Sequence, residues 1–152
     1  MIYVDADACS VKAETEQLAN RHQCSVVLVS NGGIRPSANP LVALVIVDAG
    51  PDEADKYIAM QVQPGDIVIT SDIPLAAKVL AAGAVALRPN GDIFTASNIG
   101  MQLATRNLLA DRRAADVLMQ EGGKHRGKSF SARDRSQFRN ALELLLRQAT
   151  NS

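Results

Sequence analysis

The sequence predicts a three-layer α/β domain, with a mainly parallel open sheet, helices on both faces and a helical C-terminal segment. Short apolar segments alternate with helical ones in the order β-α-β-β-α-β-α-β. The segment LVALVIV (41–47) is apolar at every position, which favours a strand covered on both faces, as in a parallel sheet. A chain of 152 residues, 47% of them hydrophobic, can build one such core.

The first third of the chain predicts two strands separated by a helix. The first strand is IYVD (2–5), and Ser10 is placed to cap a helix over 11–22. The β-branched run SVVLVS (25–30) predicts the second strand. A loop dense in Gly, Pro, Asn and Ser follows it at 31–40. This order is the start of a parallel α/β unit.

The middle of the chain repeats the alternation. After the strand at 41–47, the segment DEADKYIAMQV (52–62) is helical, and PGD breaks the chain before the strand IVIT (67–70). A second helix covers 73–83, where Gly83 stops it. The short strand AVAL (84–87) completes the predicted sheet.

The character of the chain changes after the sheet. Residues 97–120, rich in Leu, Met and Ala, predict one or two helices, and EGGKHRGKSF (121–130) predicts a basic loop. SARD (131–134) resembles a capping box that opens a helix to about residue 148. That helix places apolar residues on one face, namely Phe138, Leu142 and Leu145 or Leu146. We predict one domain over 1–150, with 97–150 as a helical extension packed on it.

Composition excludes several classes of protein. The sequence has no apolar run of membrane-spanning length and no basic segment ahead of an apolar one, so we expect no membrane segment and a cytoplasmic location. Cys9 and Cys24 lack a CxxC spacing, which argues against a disulfide scaffold or a zinc site. The few aromatic residues argue against a platform on which bases stack.

The net charge of zero conceals two halves of opposite sign. Residues 1–75 hold ten acidic and four basic residues, a net −6, whereas residues 76–152 hold six acidic and twelve basic ones, a net +6. An acidic centre beside a basic surface suits a metal site that acts on a polyanion. A mixed solvated surface would give the same count.

Acidic residues follow several of the predicted strands. Asp5 and Asp7 follow the first strand, and Asp72 follows IVIT. Asp52 and Asp55 lie in the first turn of the predicted helix 52–62. Ligands of open parallel sheets bind beyond the carboxyl ends of the strands. We therefore expect these carboxylates to meet at one edge of the sheet.

Crowded carboxylates raise one another's pKa unless a positive charge lies between them. Mg²⁺ or Mn²⁺ is the simplest such charge, because both ions prefer oxygen ligands and bind substrate phosphate as well. The alternative is purely structural: Asp52 and Asp72 occupy positions where Asp caps a helix.

Several motifs resemble those of PIN-type nucleases. GDIVITSDIPLAAKVLAAGAVALRPNG (65–91) resembles their third acidic motif, IYVDAD (2–7) the first acidic strand and DEAD (52–55) the second acidic helix. DADACSVK, PDEADKYI, GDIVITSDIPLAAKVL and ARDRSQF together resemble the bacterial YaiI/YqxD family across essentially the whole chain. The chain departs from that family at Ser10, where proline is expected, and at KHRGKSF, where a Gly-Pro segment is expected.

The resemblance implies a nuclease that cuts RNA with Mg²⁺ or Mn²⁺. It places Asp5, Asp55 and Asp72 as the metal-binding, catalytic acids. Asp7 and Asp52 would be second ligands, and Thr70 and Ser71 would be supporting hydroxyls that orient them.

A cluster of basic residues late in the chain is the predicted contact for nucleic acid. Arg and Lys side chains bind phosphates, and the nearby glycines would let the backbone approach a phosphate as well. The predicted binding residues are Lys124, Arg126, Lys128, Arg133 and Arg135. A solvated helix start would look the same. The apolar 97–120 segment could serve a homodimer.

Two other functions fit parts of the pattern. A haloacid-dehalogenase-like phosphatase would use Asp5 as nucleophile, Asp7 as general acid, Thr70 as the strand-end hydroxyl and Lys78 as its lysine. It also needs an acidic pair late in the chain, and no DD or GDxxxD occurs there. A scaffold that binds metal, RNA or a protein partner without catalysis is the other alternative, because fold does not dictate function.

Overall fold

A computed structural model describes residues 1–6, 10–32, 34–50, 52–100 and 130–150. Within these ranges five strands form one sheet in the order β3-β2-β1-β4-β5, and every neighbouring pair is parallel. The strands are β1 (Ile2–Asp5), β2 (Val26–Ser30), β3 (Val42–Ile46), β4 (Ile67–Ile69) and β5 (Val85–Leu87). The helices are α1 (Lys12–His22), α2 (Glu53–Gln61), α3 (Ile73–Ala81) and α4 (Ala132–Thr150). The predicted fold class is confirmed.

Alternate residues of the central strands feed two separate cores, which makes the fold three-layered. In β1, Ile2 and Val4 join the core under α1 and α4, whereas Tyr3 joins the core under α2 and α3. The same alternation holds in β4, where Val68 faces α2 and α3. This period of two is the geometry of a strand buried on both faces.

The third predicted strand is parallel, as expected, but it is not covered on both faces. β3 lies at the edge of the sheet, and its Ala43 and Ile46 are exposed. Apolar residues are favoured in strands both by β-propensity and by burial. A continuous apolar run therefore does not distinguish a central strand from an edge strand that has apolar residues on its exposed face.

The caps of the helices depart from prediction in one place and follow it in another. Val11, not Ser10, precedes α1, and within the described part of the chain no side-chain hydrogen bond caps that helix. The capping box of α4 is confirmed, because Ser131 Oγ accepts the Asp134 N–H and Asp134 Oδ2 accepts the Ser131 N–H, each at 3.1 Å. Gly83 follows the end of α3 with φ +85°, as its predicted role as a stop requires.

Helix α4 packs along α1 in the same direction. Three pairs fix that direction: Arg135 with Glu14, Arg139 with Gln17, and Glu143 with His22. Because α1 returns from the carboxyl end of β1 to the amino end of β2, both helices begin at the carboxyl edge of the sheet. The predicted apolar face of α4 is buried, with Phe138 and Leu142 completely covered.

Part of the C-terminal prediction lies outside the described residues. Residues 96–100 are helical, whereas the rest of the predicted helices at 97–120, the dimer surface expected there and the basic loop lie outside. None of the described helices is both long enough and apolar enough to cross a membrane.

Candidate functional site

The acidic residues lie at the switch point of the sheet. From β1 the chain builds outward to β2 and β3, then returns through α2 to β4 on the other side of β1. The carboxyl ends of β1 and β4 therefore border a crevice at the point where the direction of strand addition reverses, which is where open α/β sheets bind ligands. Asp5 ends β1, and Asp72 follows β4 by three residues.

A buried hydroxyl connects the ends of these two strands. The alternation along β1 and β4 turns both Asp5 and Thr70 toward the face covered by α2 and α3. Thr70 Oγ1 donates to Asp5 Oδ2 at 3.3 Å and accepts the Asp72 backbone N–H at 3.0 Å. Thr70 is only 2% exposed, whereas Asp5 is half-buried, so the contact is partly shielded from water. Ser71, the other predicted supporting hydroxyl, is exposed.

Asp72 also has the structural role that its position suggested. It is the N-cap of α3, and its Oδ1 accepts the Leu75 N–H at 2.8 Å. A carboxylate at a helix N-terminus is favoured by the unsatisfied N–H groups there. One oxygen of Asp72 is thus held by the cap, which fixes the carboxylate at the edge of the sheet.

Asp55 reaches the cluster from the first turn of α2. It lies three residues before Ile58, which is fully buried, so Asp55 is on the sheet-facing side of the helix. Asp52 occupies the N-cap position of α2, but its side chain makes no capping hydrogen bond. A capping hydrogen bond is therefore made by Asp72 and not by Asp52.

The protonation of Asp55 is influenced by three other carboxyl groups at this edge of the sheet. Its pKa is raised from 3.8 to about 7, first by burial, then by the negative charges of Asp72 and Asp5, by a hydrogen bond with Asp72 and by the charge of Asp52. Within the described residues, Asp52, Asp55 and Asp72 form no ion pair with a basic side chain.

The raised pKa of Asp55 predicts that the free energy of unfolding decreases as the pH rises. Between about pH 4 and pH 7 the folded chain keeps a proton on Asp55 that the unfolded chain has released, so the free energy of unfolding decreases across that window. Asp55→Asn should remove this slope and stabilise the metal-free protein at pH 8 by on the order of 1–2 kcal/mol, a figure reduced for solvent screening. Urea unfolding in EDTA at pH 5 and pH 8 measures both effects.

The matched control is Glu53→Gln, which removes a charge from the same helical turn. Glu53 forms an exposed pair with Lys56 and is not among the groups that shift Asp55. This variant should keep the wild-type loss of stability between the two pH values. Equal losses in wild type and Asp55→Asn would show that Asp55 does not carry the effect.

The donor atoms of the cluster suit a hard divalent cation, although their positions do not yet form a complete site. All are carboxylate oxygens, which Mg²⁺ and Mn²⁺ prefer. In the described ranges, no group of three or more His, Cys, Asp or Glu side chains is arranged to hold a metal ion. Asp7, a predicted second ligand, lies outside those ranges.

The predicted nucleic-acid contacts fall into two groups. Lys124, Arg126 and Lys128 lie outside the described residues. Arg133 is exposed in the first turn of α4. Arg135 is engaged within the protein, because its Nη1 lies 3.1 Å from both the Ser10 carbonyl oxygen and Glu14 Oε1. Arg135 therefore fastens α4 to the start of α1.

Sequence reasoning missed the burial of Glu14. Its Oε1 binds Arg135, whereas its Oε2 is buried with no hydrogen-bond partner among the described residues. The signal was present, because Glu14 lies four residues before Leu18 on the buried face of α1. Glu14 lies between α1 and α4, on the opposite side of the sheet from Asp55.

Comparison with known sequences agrees with the four motifs. The profile described as "Uncharacterized BCR, YaiI/YqxD family" matches residues 3–148. The chain belongs to the YaiI/YqxD family. A UPF0178 protein of Ruegeria pomeroyi is 57% identical over 97% of this chain and 94% of its own length. One from Cereibacter sphaeroides is 56% identical over 99% of this chain and 91% of its own length. One from Rhodopseudomonas palustris is 49% identical over 97% of this chain and 90% of its own length.

No solved structure is significantly similar to this chain. The descriptions of the YaiI/YqxD family and of these relatives name no activity, substrate or cofactor. What this member of the family does must therefore be inferred from the carboxylates at the switch point and from the residues around them.

Proposed function

We propose that the protein is a PIN-like phosphodiesterase that uses Mg²⁺ or Mn²⁺ to cleave RNA. One observation carries this function: Asp5, Asp55 and Asp72 come from three separate strand–helix junctions, and the charges of Asp72 and Asp5 add to burial in raising the pKa of Asp55 to about 7. Of these three residues only Asp72 caps one of the described helices, so capping does not explain Asp5 or Asp55. A cluster of acids that repel one another is costly unless a cation is bound there.

The residues present fit such an ion by the chemistry of their donors. Asp5, Asp55 and Asp72 would hold it, with Asp52 and Asp7 as further oxygen ligands. When bound, a divalent ion polarises a phosphoryl oxygen and lowers the pKa of water. Within the described residues no three such side chains are arranged for an ion as they lie, so ion binding would require the free carboxylate oxygens to reorient.

The chain's own residues supply the rigid support that this site needs. Thr70 holds one oxygen of Asp5 through its buried hydroxyl, and the cap of α3 holds one oxygen of Asp72. Below about pH 7 the Asp55 carboxyl keeps its proton and forms a hydrogen bond with Asp72. Loss of that proton frees a second carboxylate to bind a cation, so cation affinity should rise between pH 6 and pH 8.

A haloacid-dehalogenase-like phosphatase is less well supported. Its lysine would be Lys78, which is exposed and lies in the last turn of α3. With a rise of about 1.5 Å per residue, that places Lys78 roughly 9 Å along the axis from Asp72. A lysine that neutralised a phosphoryl group on Asp5 would have to begin nearer the carboxyl edge.

The assay that tests the proposed function measures cleavage of a labelled single-stranded oligoribonucleotide. We expect the wild-type protein to cleave it in Mn²⁺ or Mg²⁺ and to stop in excess EDTA. A DNA strand of the same sequence shows whether the sugar matters. Cation binding without cleavage by the wild type would instead support the non-catalytic scaffold, and trapping of a phosphorylated Asp5 would support the phosphatase.

A further inference from the structure

Arg88 lies one strand away from the acidic cluster, at the same edge of the sheet. It is the first residue after β5, which pairs in parallel with β4. The Thr70 N–H donates to the Leu87 carbonyl at 3.0 Å, so the residues that leave the two strands start side by side. Neighbouring strands are about 4.8 Å apart, and the register pairs Ile69 with Leu87, which places the backbone of Arg88 beside that of Thr70.

A closed turn holds the backbone of Arg88 in place. Its N–H donates to the Asp92 carbonyl at 2.8 Å, and its carbonyl accepts the Gly91 N–H at 2.9 Å. Gly91 is pressed against α4, since a Cβ there would lie 2.6 Å from the Gln137 carbonyl carbon. An arginine presented by a turn fixed on both sides loses little further backbone entropy when it binds a ligand.

The side chain of Arg88 is oriented by an aromatic ring. Its guanidinium carbon lies 4.7 Å from the centre of the Phe94 ring, the arrangement of a cation–π contact. A guanidinium that stacks by its face directs its N–H donors along its edge, the geometry that matches two phosphate oxygens.

Arg88 and Phe94 line a pocket of about 160 Å³ together with Asp92, Ile93 and Asn98. Pockets for drug-sized ligands have volumes of roughly 300–1,000 Å³, so this pocket suits a phosphate and not a whole nucleotide. The Asp92 carboxylate in its wall accepts from Asn90 Nδ2 at 3.1 Å. Asn98 accepts the Thr95 N–H and donates to the Ile93 carbonyl. Among these five lining residues, Arg88 has the one cationic side chain.

We propose that Arg88 binds a phosphodiester group of a polynucleotide strand, next to the phosphate that faces Asp5, Asp55 and Asp72. This assignment rests on the proposed function, because it takes the strand as the substrate of the acidic cluster. The assignment also predicts the path of the bound strand, which would run from the crevice between β1 and β4 toward the end of β5.

The test is strand binding, measured apart from cleavage. Fluorescence anisotropy of a labelled single-stranded oligoribonucleotide in Ca²⁺ buffer compares wild type with Arg88→Gln across about 50–200 mM salt. We expect Arg88→Gln to bind roughly tenfold more weakly and to reduce the salt slope by about 0.7, the loss of one phosphate contact on a single strand. Arg88→Lys should keep the slope and bind with intermediate affinity, because it retains the charge without the fork.

The matched control is Arg147→Gln, which removes the same charge from the last turn of α4, far from the carboxyl edge. It should leave both the affinity and the slope unchanged. If Arg88→Gln lowers the urea midpoint of unfolding, the role of Arg88 is judged from Arg88→Lys instead, because that variant keeps the positive charge on a side chain of similar length.

The contrary results separate this assignment from the proposed function. Equal affinity and equal salt slope in wild type and Arg88→Gln would overturn the role of Arg88 while leaving metal-dependent cleavage intact. A wild-type protein that neither binds nor cleaves the strand would overturn both. Inorganic phosphate tests whether the pocket binds free phosphate instead of a strand. If phosphate stabilises wild type but not Arg88→Gln, and Arg88→Gln leaves strand binding unaffected, the pocket would be assigned to free phosphate. That result would also overturn the role proposed here.

Discussion

The Asp5→Asn variant is expected to cleave an oligoribonucleotide at least about 100-fold more slowly than wild type in Mn²⁺, the size of effect seen when one preorganised electrostatic group is lost from an active site. The amide keeps the shape of the carboxylate and an oxygen that can accept from Thr70. It removes the charge that would attract a cation. The unfolding midpoint in EDTA should therefore stay the same or rise, because Asp5 contributes to the repulsion around Asp55.

Asp48→Asn is the matched control for that experiment. Asp48 follows β3 at the same edge of the sheet, is exposed, and is not among the groups that shift Asp55. Its cleavage rate should stay within about twofold of wild type, as expected for a surface residue outside the site. Equal cleavage by wild type and Asp5→Asn would identify the activity as a contaminant.

Gly91→Ala should cost about 3 kcal/mol or more of stability. Gly91 has φ +97°, and an added Cβ would lie 2.6 Å from the carbonyl carbon and 2.7 Å from the oxygen of Gln137. Those atoms belong to the backbone of α4, so they cannot give way without moving the helix. A strained φ and a backbone clash add together. Urea denaturation measures the loss.

Gly65→Ala isolates the strain from the clash. Gly65 has φ +89°, similar to Gly91, but a Cβ there meets nothing within 4 Å. It should cost only about 1–2 kcal/mol, the usual penalty for a side chain at positive φ. Equal losses at the two glycines would mean that α4 does not press on the turn that carries Arg88.

The sequence was sufficient to predict the fold because its signals are local. Alternating strand and helix segments, with breaks at Pro64–Gly65 and Gly83, predict a parallel sheet without any knowledge of long-range contacts. The capping box at Ser131 was predictable for the same reason. The edge position of β3 was not, because it depends on the order in which strands pair, and a run of apolar residues does not encode that order.

The candidate site likewise has a part that the sequence predicts and a part that depends on contacts between distant segments. The position of Asp5, Asp55 and Asp72 after strands or at helix starts was visible in the sequence. Their mutual distances follow from the crossover that brings β4 beside β1. The Arg88 pocket depends on the packing of Phe94 and on the contact of Gly91 with α4. No spacing rule predicts such contacts between distant segments.

The most direct measurement is a crystal structure of the protein soaked in Mn²⁺, with the ion located by its anomalous scattering. We expect a peak within coordination distance of Asp5, Asp55 and Asp72, at the carboxyl ends of β1 and β4, and its loss in Asp5→Asn crystals. A fully occupied ion elsewhere, or an empty crevice at millimolar Mn²⁺ and pH 8, would contradict the convergence of these carboxylates on a cation.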